Sequence, residues 1–555
     1  MASLETIHVP VLIVGGGIVG LSASLFLSHQ GVNSLLIERH SGTSIHPRAR
    51  SVNARTMEIF RTIGLSDLVR EAGASLAPTW GIYSGTSLKS VIETKPRREN
   101  RKGASLVRSA EIGPEDGVFV TQDMLEPVIL KAAREIGGDV RFYSECTDVE
   151  QYEEYVTARI RNRETGNSIK VTADYLIAAD GANSPIRSQL GVTTTGRGTM
   201  GNLLNILFHA DLKDIVLNRE FSLCSIDSPE VVGILTSINN SDRWVFHLNY
   251  DPSKGEKPAD YPPDRCKELL RIALGLPDIK IDIVSILPWQ PAVRVVTKLQ
   301  HGRIFFAGDA AHQMPPYGGQ GANTGISDAY NLAWKLSFVL NGYANSRLLQ
   351  TFDTERLPVG KTAAEASAGP ADDRGLISIK RDLRTIMGWT RIIPLTSGYG
   401  YVYSSDSLAV VREDIWPLGG MTWKPWNAPS LFFSLDGRPG SRAPHVWVEK
   451  EGNKISTIDI FGKGFVLLAG SEGDAWVAAL KTINEKFHGL GFTGYRVGPK
   501  GEIVDQGKKW EAAAGISSTG ALLVRPDGYV AWRQRRMPTD VYAMLEDVLG
   551  EILCL

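Results

Sequence analysis

The residues HVPVLIVGGGIVGLSASLFLSHQGVNSLLIERH, at positions 8–40, carry the strongest signal for the fold. An apolar run of strand length precedes three glycines, Gly15, Gly17 and Gly20, which fit the pattern G-x-G-x-x-G. An apolar segment with helical spacing follows, and a second apolar run ends at Glu38. Gly15 permits a tight turn, Gly17 lets main chain approach a pyrophosphate and Gly20 lets the helix pack close to the strand. Because Glu38 can accept hydrogen bonds from ribose hydroxyls, the stretch predicts a βαβ unit that binds an adenine dinucleotide.

The composition is that of an ordinary globular protein. The chain has 555 residues, which is too long for one core and predicts two to four domains. With 60 basic and 61 acidic residues, its net charge of −1 gives no reason to expect nucleic acid or an anionic membrane as a partner. No signal peptide or membrane-spanning stretch is recognisable, and a cytoplasmic protein is expected.

The four cysteines are far apart and form no C-x-x-C pair. This spacing predicts neither a metal site nor a disulfide framework, and it indicates free thiols in a reducing compartment.

The pattern along the chain predicts four segments. Residues 1–185 and 296–400 share α/β character, residues 186–295 are rich in strand-like runs, and residues 401–555 form a linker and a further domain in which strands and helices alternate. Residues 80–104 show no clear pattern and include the basic sequence KPRREN, which is interpreted as a solvated loop.

Two later motifs carry the chemistry. AADGANSPIRSQLG, with Asp180 and Gly181, follows a strand-like run, and GDAAHQMPPYGGQGAN begins at residue 308, after another. Asp309 at that strand end can accept hydrogen bonds from a polyol chain, and Pro316 stiffens the main chain that follows. The glycines around Gly319 let a planar group lie against main chain, and the helix after them directs its N-terminus at the same place. A negative charge such as that of a reduced flavin would be stabilised there.

In order and spacing these three motifs resemble those of the class A flavin-dependent aromatic hydroxylases, the p-hydroxybenzoate hydroxylase type. The likeness is to the larger members with a C-terminal domain, such as phenol hydroxylase and the polyketide hydroxylases, and it covers most of the chain. It implies a mixed α/β and α+β fold: a Rossmann-like FAD-binding domain in two parts, 1–185 and 296–400, an inserted β-sheet substrate domain, 186–295, and a thioredoxin-like C-terminal domain. That last domain has no C-x-x-C, so dithiol chemistry is excluded, and packing or support of a homodimer is the remaining role.

The resemblance also implies which residues contact FAD. The ADP half would be held by the first motif with Glu38 and Arg39, the ribityl chain by Gln122 and Asp309, and the pyrophosphate by Asp180 and Gly181, which also face NAD(P)H. Arg48 would lie next to the flavin. The residues matching the segment beside the isoalloxazine ring are Pro316, Gly319, Gly321, Ala322 and Asn323.

The mechanism implied by the resemblance uses NADPH or NADH to reduce FAD, after which O₂ forms a C4a-hydroperoxyflavin that hydroxylates a phenolic or polyketide-like aromatic, in secondary metabolism or aromatic catabolism. The protein supplies position and a dry cavity. A base near the ring would activate a phenol, and the candidates are His247, Tyr317 and Arg48. Pro316 is a further catalytic candidate because it lies beside the ring, whereas His312 is interpreted as a structural histidine.

Alternatives remain open on the sequence alone. The same fold supports Baeyer–Villiger or epoxidising monooxygenases, and no motif separates these from hydroxylases. A flavoprotein that binds FAD without turnover is a different class. A plain NAD-dependent dehydrogenase would leave GDAAH unexplained, and a flavin halogenase is disfavoured because W-x-W-x-I-P is absent. Trp244 and Trp289 line either the core or a substrate cavity.

Overall fold

The structure is a computed structural model. It describes residues 5–76, 81–96, 112–372, 374–378, 383–392, 395–404, 407–411, 435–486 and 491–555. Most of the KPRREN loop, residues 97–100, lies outside these described residues.

The N-terminal motif forms the centre of a largely parallel sheet. In the order in which they pair, its strands are Asp139–Arg141, Ser34–Ile37, Thr6–Val14, Ser168–Ala178, Ile304–Phe306 and Gln300–His301, with the hairpin Ser144–Gln151 and Val156–Asn162 attached to Ser168–Ala178. The central strand pairs in parallel with Ser34–Ile37 and with Ser168–Ala178. Because both faces of this sheet are covered, its central strands read as continuous apolar runs.

Helices cover this sheet and complete the FAD-binding domain. They are Ile18–His29, Ala54–Thr62, Ser66–Gly73, Gln122–Glu135, Pro185–Gln189, Gln320–Leu340 and Thr351–Ala368, followed by Leu383–Ile392. Gln320–Leu340, which we call the long helix, packs on Ile18–His29, and both contribute to the main apolar core. Two small antiparallel sheets complete this part: Ser51–Val52 with Val118–Phe119, and Thr194–Thr199 with Ala292–Val296 and His312–Gln313.

A second sheet, which we call the substrate sheet, forms the inserted part. In pairing order its strands are Asp282–Trp289, Leu203–His209, Arg243–Asn249, Val232–Ser237, Leu223–Asp227 and Ile82–Gly85. The helices Leu88–Glu93, Lys213–Val216 and Pro263–Leu274 accompany it. The strand Ile82–Gly85 and the helix after it come from the region that showed no clear pattern, so this domain takes in residues outside 186–295. A four-residue strand is too short to produce a clear alternation.

The C-terminal domain is a mixed sheet with helices. Its strands, in pairing order, are Asn453–Ser456, Trp447–Lys450, Ile503–Val504, Thr493–Gly498, Val466–Ala469, Ala521–Val524 and Val530–Gln534. Its helices are Asp474–Lys486, Lys509–Ala514 and Val541–Leu553. In the part of the chain that the structure describes, the 3₁₀ turns are Pro252–Lys254, Pro258–Asp260, Gly308–Ala310, Tyr317–Gly319, Ser346–Gln350 and Thr457–Ile460. Trp334 and Phe338 of the long helix share one apolar cluster with this domain, so the domain is packed firmly against the FAD-binding part.

Among the described residues, no helix combines the length and the apolar character that a membrane crossing requires.

Candidate active site

Parallel strand ends bring the three motifs together. Val14 pairs with both Ile37 and Ala178, and Ala178 pairs with Phe306. These four residues each end a parallel strand, so the segments that follow them emerge at the same edge of the sheet. At that edge therefore lie the glycine turn, Glu38, the Asp180-Gly181 pair and Asp309.

The three glycines of the first motif differ in what surrounds them. A Cβ on Gly20 would lie 1.8 Å from the carbonyl oxygen of Gly15, and Gly15 itself has φ +108° and no room for a Cβ against Ala179. A Cβ on Gly17 would meet nothing closer than 3.8 Å. Gly15 and Gly20 are therefore required by the fold, whereas Gly17 leaves open space at the start of the helix, as a pyrophosphate site needs.

Two carboxylates fix this turn. Glu38 Oε2 accepts a hydrogen bond from the Gly16 N–H at 2.6 Å. Glu126, which the sequence analysis did not identify, is fully buried and accepts from the Ser44 N–H at 2.6 Å and from the Gln122 side chain at 2.6 Å. Burial raises the pKa of Glu126. The sequence did contain a signal for this pair: Gln122 and Glu126 are four residues apart, a spacing that places both side chains on one face of a helix.

Gln122 and Arg39 occupy different environments. Gln122 begins the helix Gln122–Glu135 next to the glycine turn, and its side chain is held by Glu126. Arg39 is exposed and its Nε lies 3.4 Å from His40 Nε2, so it stands at the rim beside Glu38.

The Asp180-Gly181 turn presents an unused acceptor. Asp180 Oδ2 accepts from the Ile186 N–H at 3.2 Å, but the buried Oδ1 has no hydrogen-bond partner among the residues that the structure describes. Burial raises the pKa of Asp180. Gly181 has φ +84°, and a Cβ on it would contact nothing within 4 Å. An acceptor oxygen without a partner beside open main chain fits a ligand that presents hydroxyl groups.

Asp309, which is predicted to contact the ribityl chain, follows the strand Ile304–Phe306. Solvent reaches its side chain, which stands next to the buried Gly308. Desolvation by the protein atoms around the carboxyl group raises the pKa of Asp309, and the nearby charges of His312 and Arg48 offset part of that shift. Arg48 is exposed and close enough to act on Asp309, so the HPRAR loop and the GDAAH motif face the same space.

The segment at residues 316–323 leads into the long helix. Pro316 is exposed and precedes the 3₁₀ turn Tyr317–Gly319, and Gly319 has φ +64°. The long helix has Gly319 as its N-cap, without a side-chain cap, so first-turn N–H groups remain for a ligand. A Cβ on Gly321 would meet nothing closer than 3.8 Å. Ala322, the next residue of that first turn, is half-buried.

Asn323 is engaged with protein. Its Oδ1 accepts from the Asn53 N–H at 2.9 Å and from Thr56 Oγ1 at 2.6 Å, and its Nδ2 donates to the Gly319 carbonyl at 2.7 Å. A cofactor contact at this position would therefore use the main chain.

Strand alternation defines the face of the substrate sheet that looks toward this segment. Trp244 and its same-face neighbours pack into the separate core of the inserted part. The opposite face bears Leu203 and Ile234, which cluster with Tyr317 and Trp289. Trp244 is therefore a core residue, with its Nε1 donating to the Ala210 carbonyl, whereas Trp289 lies on the site face.

His247 stands on that face next to Asn205. His247 Nδ1 and Asn205 Oδ1 are 2.6 Å apart, and the Nε2 makes no hydrogen bond to a described residue. Desolvation, together with the positive charges of Arg50 and His46, lowers the pKa of His247 to about 3. The ring is a neutral hydrogen-bonding group and a weak base at neutral pH.

Tyr317 is poorly suited to act as a base. The residue is buried and its hydroxyl donates to the Gly375 carbonyl at 2.7 Å. Burial also raises its pKa strongly. A phenol held in this way packs the site and stays protonated.

His312 is a structural histidine, as expected. It is fully buried, and its Nε2 lies 2.7 Å from Asp328 Oδ2. Asp328 also accepts from Arg356 Nε at 2.8 Å and from the Gly308 N–H at 3.2 Å. The cluster holds the GDAAH turn against two helices.

Arg50 and His46 were missed by the sequence analysis. Arg50 donates from Nη1 to the Ser222 carbonyl at 3.1 Å and from Nη2 to Ser222 Oγ at 2.6 Å, so it ties the HPRAR loop to the substrate sheet. His46 is buried, neither of its ring nitrogens has a hydrogen-bond partner among the described residues, and burial lowers its pKa to about 4. The polar loop gave no signal for either residue, because the partner of Arg50 is 172 residues away and the burial of His46 depends on how the chain folds around it.

These features fit FAD. Open main chain at Gly17 and Gly181, the unpartnered Asp180 oxygen and two uncapped helix starts suit a dinucleotide with a polyol chain and an anionic ring.

Comparison with known proteins agrees with this geometry. The model of the FAD binding domain family matches residues 8–367, and that of the aromatic-ring hydroxylase C-terminal family matches residues 436–552. The chain is 37% identical over 567 residues to the tetracenomycin A2 monooxygenase-dioxygenase of Streptomyces glaucescens, covering 99% of this chain and 98% of that protein. It is 35% identical over 561 residues to the 4-methyl-5-nitrocatechol 5-monooxygenase of a Burkholderia species, covering 99% of each.

Among solved structures, aklavinone-11 hydroxylase in a ternary complex with FAD and aklavinone matches with a TM-score of 0.82 and 33% identity, covering 100% of both chains. The fold, the dinucleotide site and the full-length likeness therefore agree, and the chain belongs to the FAD-dependent aromatic-ring hydroxylases, a family of flavoprotein monooxygenases.

Proposed function

We propose that this monooxygenase hydroxylates a phenolic, multi-ring aromatic of the polyketide type in secondary metabolism, with NADPH or NADH as reductant and O₂ as oxidant. One observation carries the proposal: the Asn205–His247 pair faces the segment at residues 316–323 across an apolar cluster. Support comes from two relatives whose names specify tetracenomycin and aklavinone.

In the proposed arrangement the adenosine half of FAD lies at the glycine turn and Glu38, and the ribityl chain lies between Asp309 and Gln122. The ring rests on main chain at Gly319 and Gly321, with the N-terminus of the long helix directed at its anionic side. When bound, FAD supplies hydride acceptance, O₂ activation and oxygen transfer.

The protein residues then orient the substrate. Leu203, Ile234 and Trp289 offer apolar surface to a planar aromatic and exclude water from it. His247 Nδ1 is engaged with Asn205, which leaves the Nε2 lone pair to accept a hydrogen bond from a substrate hydroxyl. Because the pKa of His247 is about 3, this hydrogen bond orients the phenol and does not remove its proton.

The test is a panel of simple phenols, anthraquinones and tetracyclic aromatics, supplied in turn with NADPH and with NADH. Oxidation of the reduced nicotinamide is followed spectrophotometrically and products are analysed by mass spectrometry and NMR. The proposal expects a multi-ring phenol to stimulate oxidation and to gain one oxygen atom on a ring carbon.

Other results would contradict it in distinct ways. Ring expansion or cleavage of a C–C bond would indicate Baeyer–Villiger chemistry, and an epoxide would indicate olefin oxidation. If only monocyclic catechols stimulated oxidation of the reduced nicotinamide, the substrate would be of the size named for the nitrocatechol relative. A yellow protein that no aromatic stimulates would support flavin binding without turnover.

A cytoplasmic location is part of the proposal, because the four cysteines carry free thiols and the reductant is a cytoplasmic metabolite. The homodimer stays a prediction that sedimentation of the FAD-loaded protein would test.

A further inference from the structure

One turn of the C-terminal domain is inserted into the FAD-binding domain. We call it the wedge turn; it consists of residues 525–529, between the strands Ala521–Val524 and Val530–Gln534. Arg525 and Asp527 in this turn are buried, and the carbonyl of Pro526 accepts a hydrogen bond from the Tyr330 hydroxyl of the long helix at 3.2 Å. The turn thus lies between helices of another domain.

On one side the wedge turn is bound by a hydrogen bond to the long helix and by an ion pair to the helix Thr351–Ala368. Asp527 Oδ2 accepts from Asn331 Nδ2 at 3.0 Å, and Arg525 Nη2 donates to Glu355 Oε2 at 2.8 Å. Lys335, one turn further along the long helix, donates to the same Glu355 oxygen at 2.8 Å. Lys335 and Glu355 are wholly buried, and buried charges hold together only where their geometry is closely kept.

On its other side the wedge turn reaches the helix Ala54–Thr62 through Arg55. Arg55 Nη2 donates to the main-chain carbonyl of Asp527 at 2.6 Å, and its Nη1 donates to Glu58 Oε2 at 3.1 Å. The guanidinium also lies 5.5 Å from the centre of the Tyr529 ring. Arg55 is buried, so its three contacts fix the first turn of this helix.

That first turn is joined directly to the segment proposed to carry the flavin ring. Asn53, the N-cap of the helix, donates its N–H to Asn323 Oδ1 at 2.9 Å, and Asn323 Nδ2 donates to the Gly319 carbonyl at 2.7 Å. One path from the wedge turn to Gly319 therefore runs through Arg55, the adjoining N-cap Asn53 and the Asn323 side chain.

We propose that Arg55 is a positioning residue for the flavin: through it the C-terminal domain sets the position of Asn53 and Asn323, and so of the main chain against the ring. This inference rests on the proposed placement of the flavin beside Gly319. It gives the C-terminal domain a role in the flavin chemistry beyond packing, although that domain contributes no residue to the proposed site.

The test uses the full-length protein loaded with FAD and compares it with the Arg55→Lys variant, which keeps the charge but loses the two-nitrogen geometry. The dissociation constant of FAD is measured by fluorescence titration, and the reduction potential of bound FAD by spectroelectrochemistry. We expect the dissociation constant to rise about fivefold, with a changed reduction potential. Asp527→Asn, which disturbs the wedge turn itself, should act in the same direction and serves if Arg55→Lys does not fold.

The matched control is Asp459→Asn. Asp459 Oδ1 accepts from Arg61 Nε at 2.6 Å, which joins the same two domains at the other end of the same helix. This variant should lose thermal stability without a change in FAD affinity or potential. The inference would be overturned if Arg55→Lys and Asp527→Asn both fold and keep the wild-type FAD affinity and reduction potential. It would also be overturned if the Asp459→Asn control changed FAD affinity and potential by the same amount. A wild-type protein that binds no FAD would instead refute the proposed function, which the inference requires.

Discussion

The Nδ1 atom of His247 lies 2.6 Å from the Oδ1 atom of Asn205 on the neighbouring strand, on the face of the substrate sheet that looks toward Tyr317. The pair places a neutral imidazole, with its second nitrogen unused by described residues, on the same face as the apolar side chains of Leu203, Ile234 and Trp289. A hydrogen-bonding nitrogen beside apolar side chains suits recognition of a hydroxyl on a large aromatic.

His247→Gln should weaken substrate binding more than it slows chemistry. Loss of one hydrogen bond to the substrate corresponds to about a tenfold higher KM, with kcat reduced less. Steady-state kinetics on the aromatic identified by the panel measures both. His209→Gln is the control, because His209 ends the adjacent strand on the exposed rim. A fall of kcat with unchanged KM, together with loss of an ionisation from the pH profile, would show that His247 acts as a base.

Tyr317→Phe should keep the pH dependence of turnover. The hydroxyl is committed to the Gly375 carbonyl, so its removal should cost about 1 kcal/mol of stability and leave the shape of the kcat–pH profile intact. Thermal unfolding and the pH profile provide the two measurements. If the basic limb of the profile disappeared, Tyr317 would be part of the proton-transfer chemistry.

Gly17→Ala and Gly20→Ala should separate cofactor binding from folding. A Cβ at Gly20 would collide with the Gly15 carbonyl, so this variant should not fold. A Cβ at Gly17 has room in the protein, and that variant should fold but bind FAD at least about tenfold more weakly, because the methyl group enters the pyrophosphate space. Circular dichroism and FAD titration distinguish the two. Normal FAD affinity in Gly17→Ala would contradict the placement of the pyrophosphate.

Stability should fall as the pH is lowered from about 6.5 toward 4. The pKa of His46 is about 4 and that of His247 about 3 in the folded protein, whereas an unfolded histidine has a pKa of about 6.5. In this window the unfolded chain binds protons that the folded chain does not, so the free energy of unfolding decreases as the pH falls. Each such histidine contributes at most about 1.4 kcal/mol per pH unit.

Denaturant unfolding at several pH values measures this slope. His46→Gln should make it shallower, and the exposed His40→Gln should leave it unchanged. An unaltered slope in His46→Gln would mean that His46 titrates normally in the folded protein. Buried carboxylates with a lowered pKa, such as that of Asp328, lose their contribution only at lower pH.

The fold of the dinucleotide-binding domain and FAD as its cofactor could be predicted from the sequence alone. Glycine spacing, apolar runs and strand-end acids are local signals, because each reflects main-chain geometry within a few residues. The strand-like runs before the first glycine motif and before AADG are strands in the structure, Thr6–Val14 and Ser168–Ala178, and the helix expected after GDAAH is the long helix. The FAD family and the aromatic hydroxylase class, inferred by resemblance, were confirmed by full-length relatives.

The packing of the domains determines which side chains face the proposed substrate site and which are already held by protein groups. His247 and Tyr317 looked equivalent as polar candidates, yet one is left with an unused nitrogen and the other donates to Gly375. Arg50 and Arg55 find their partners 172 and 472 residues away. Such pairings depend on how domains pack, and no local pattern records them, because a buried arginine and an exposed one differ only in what the fold brings beside them.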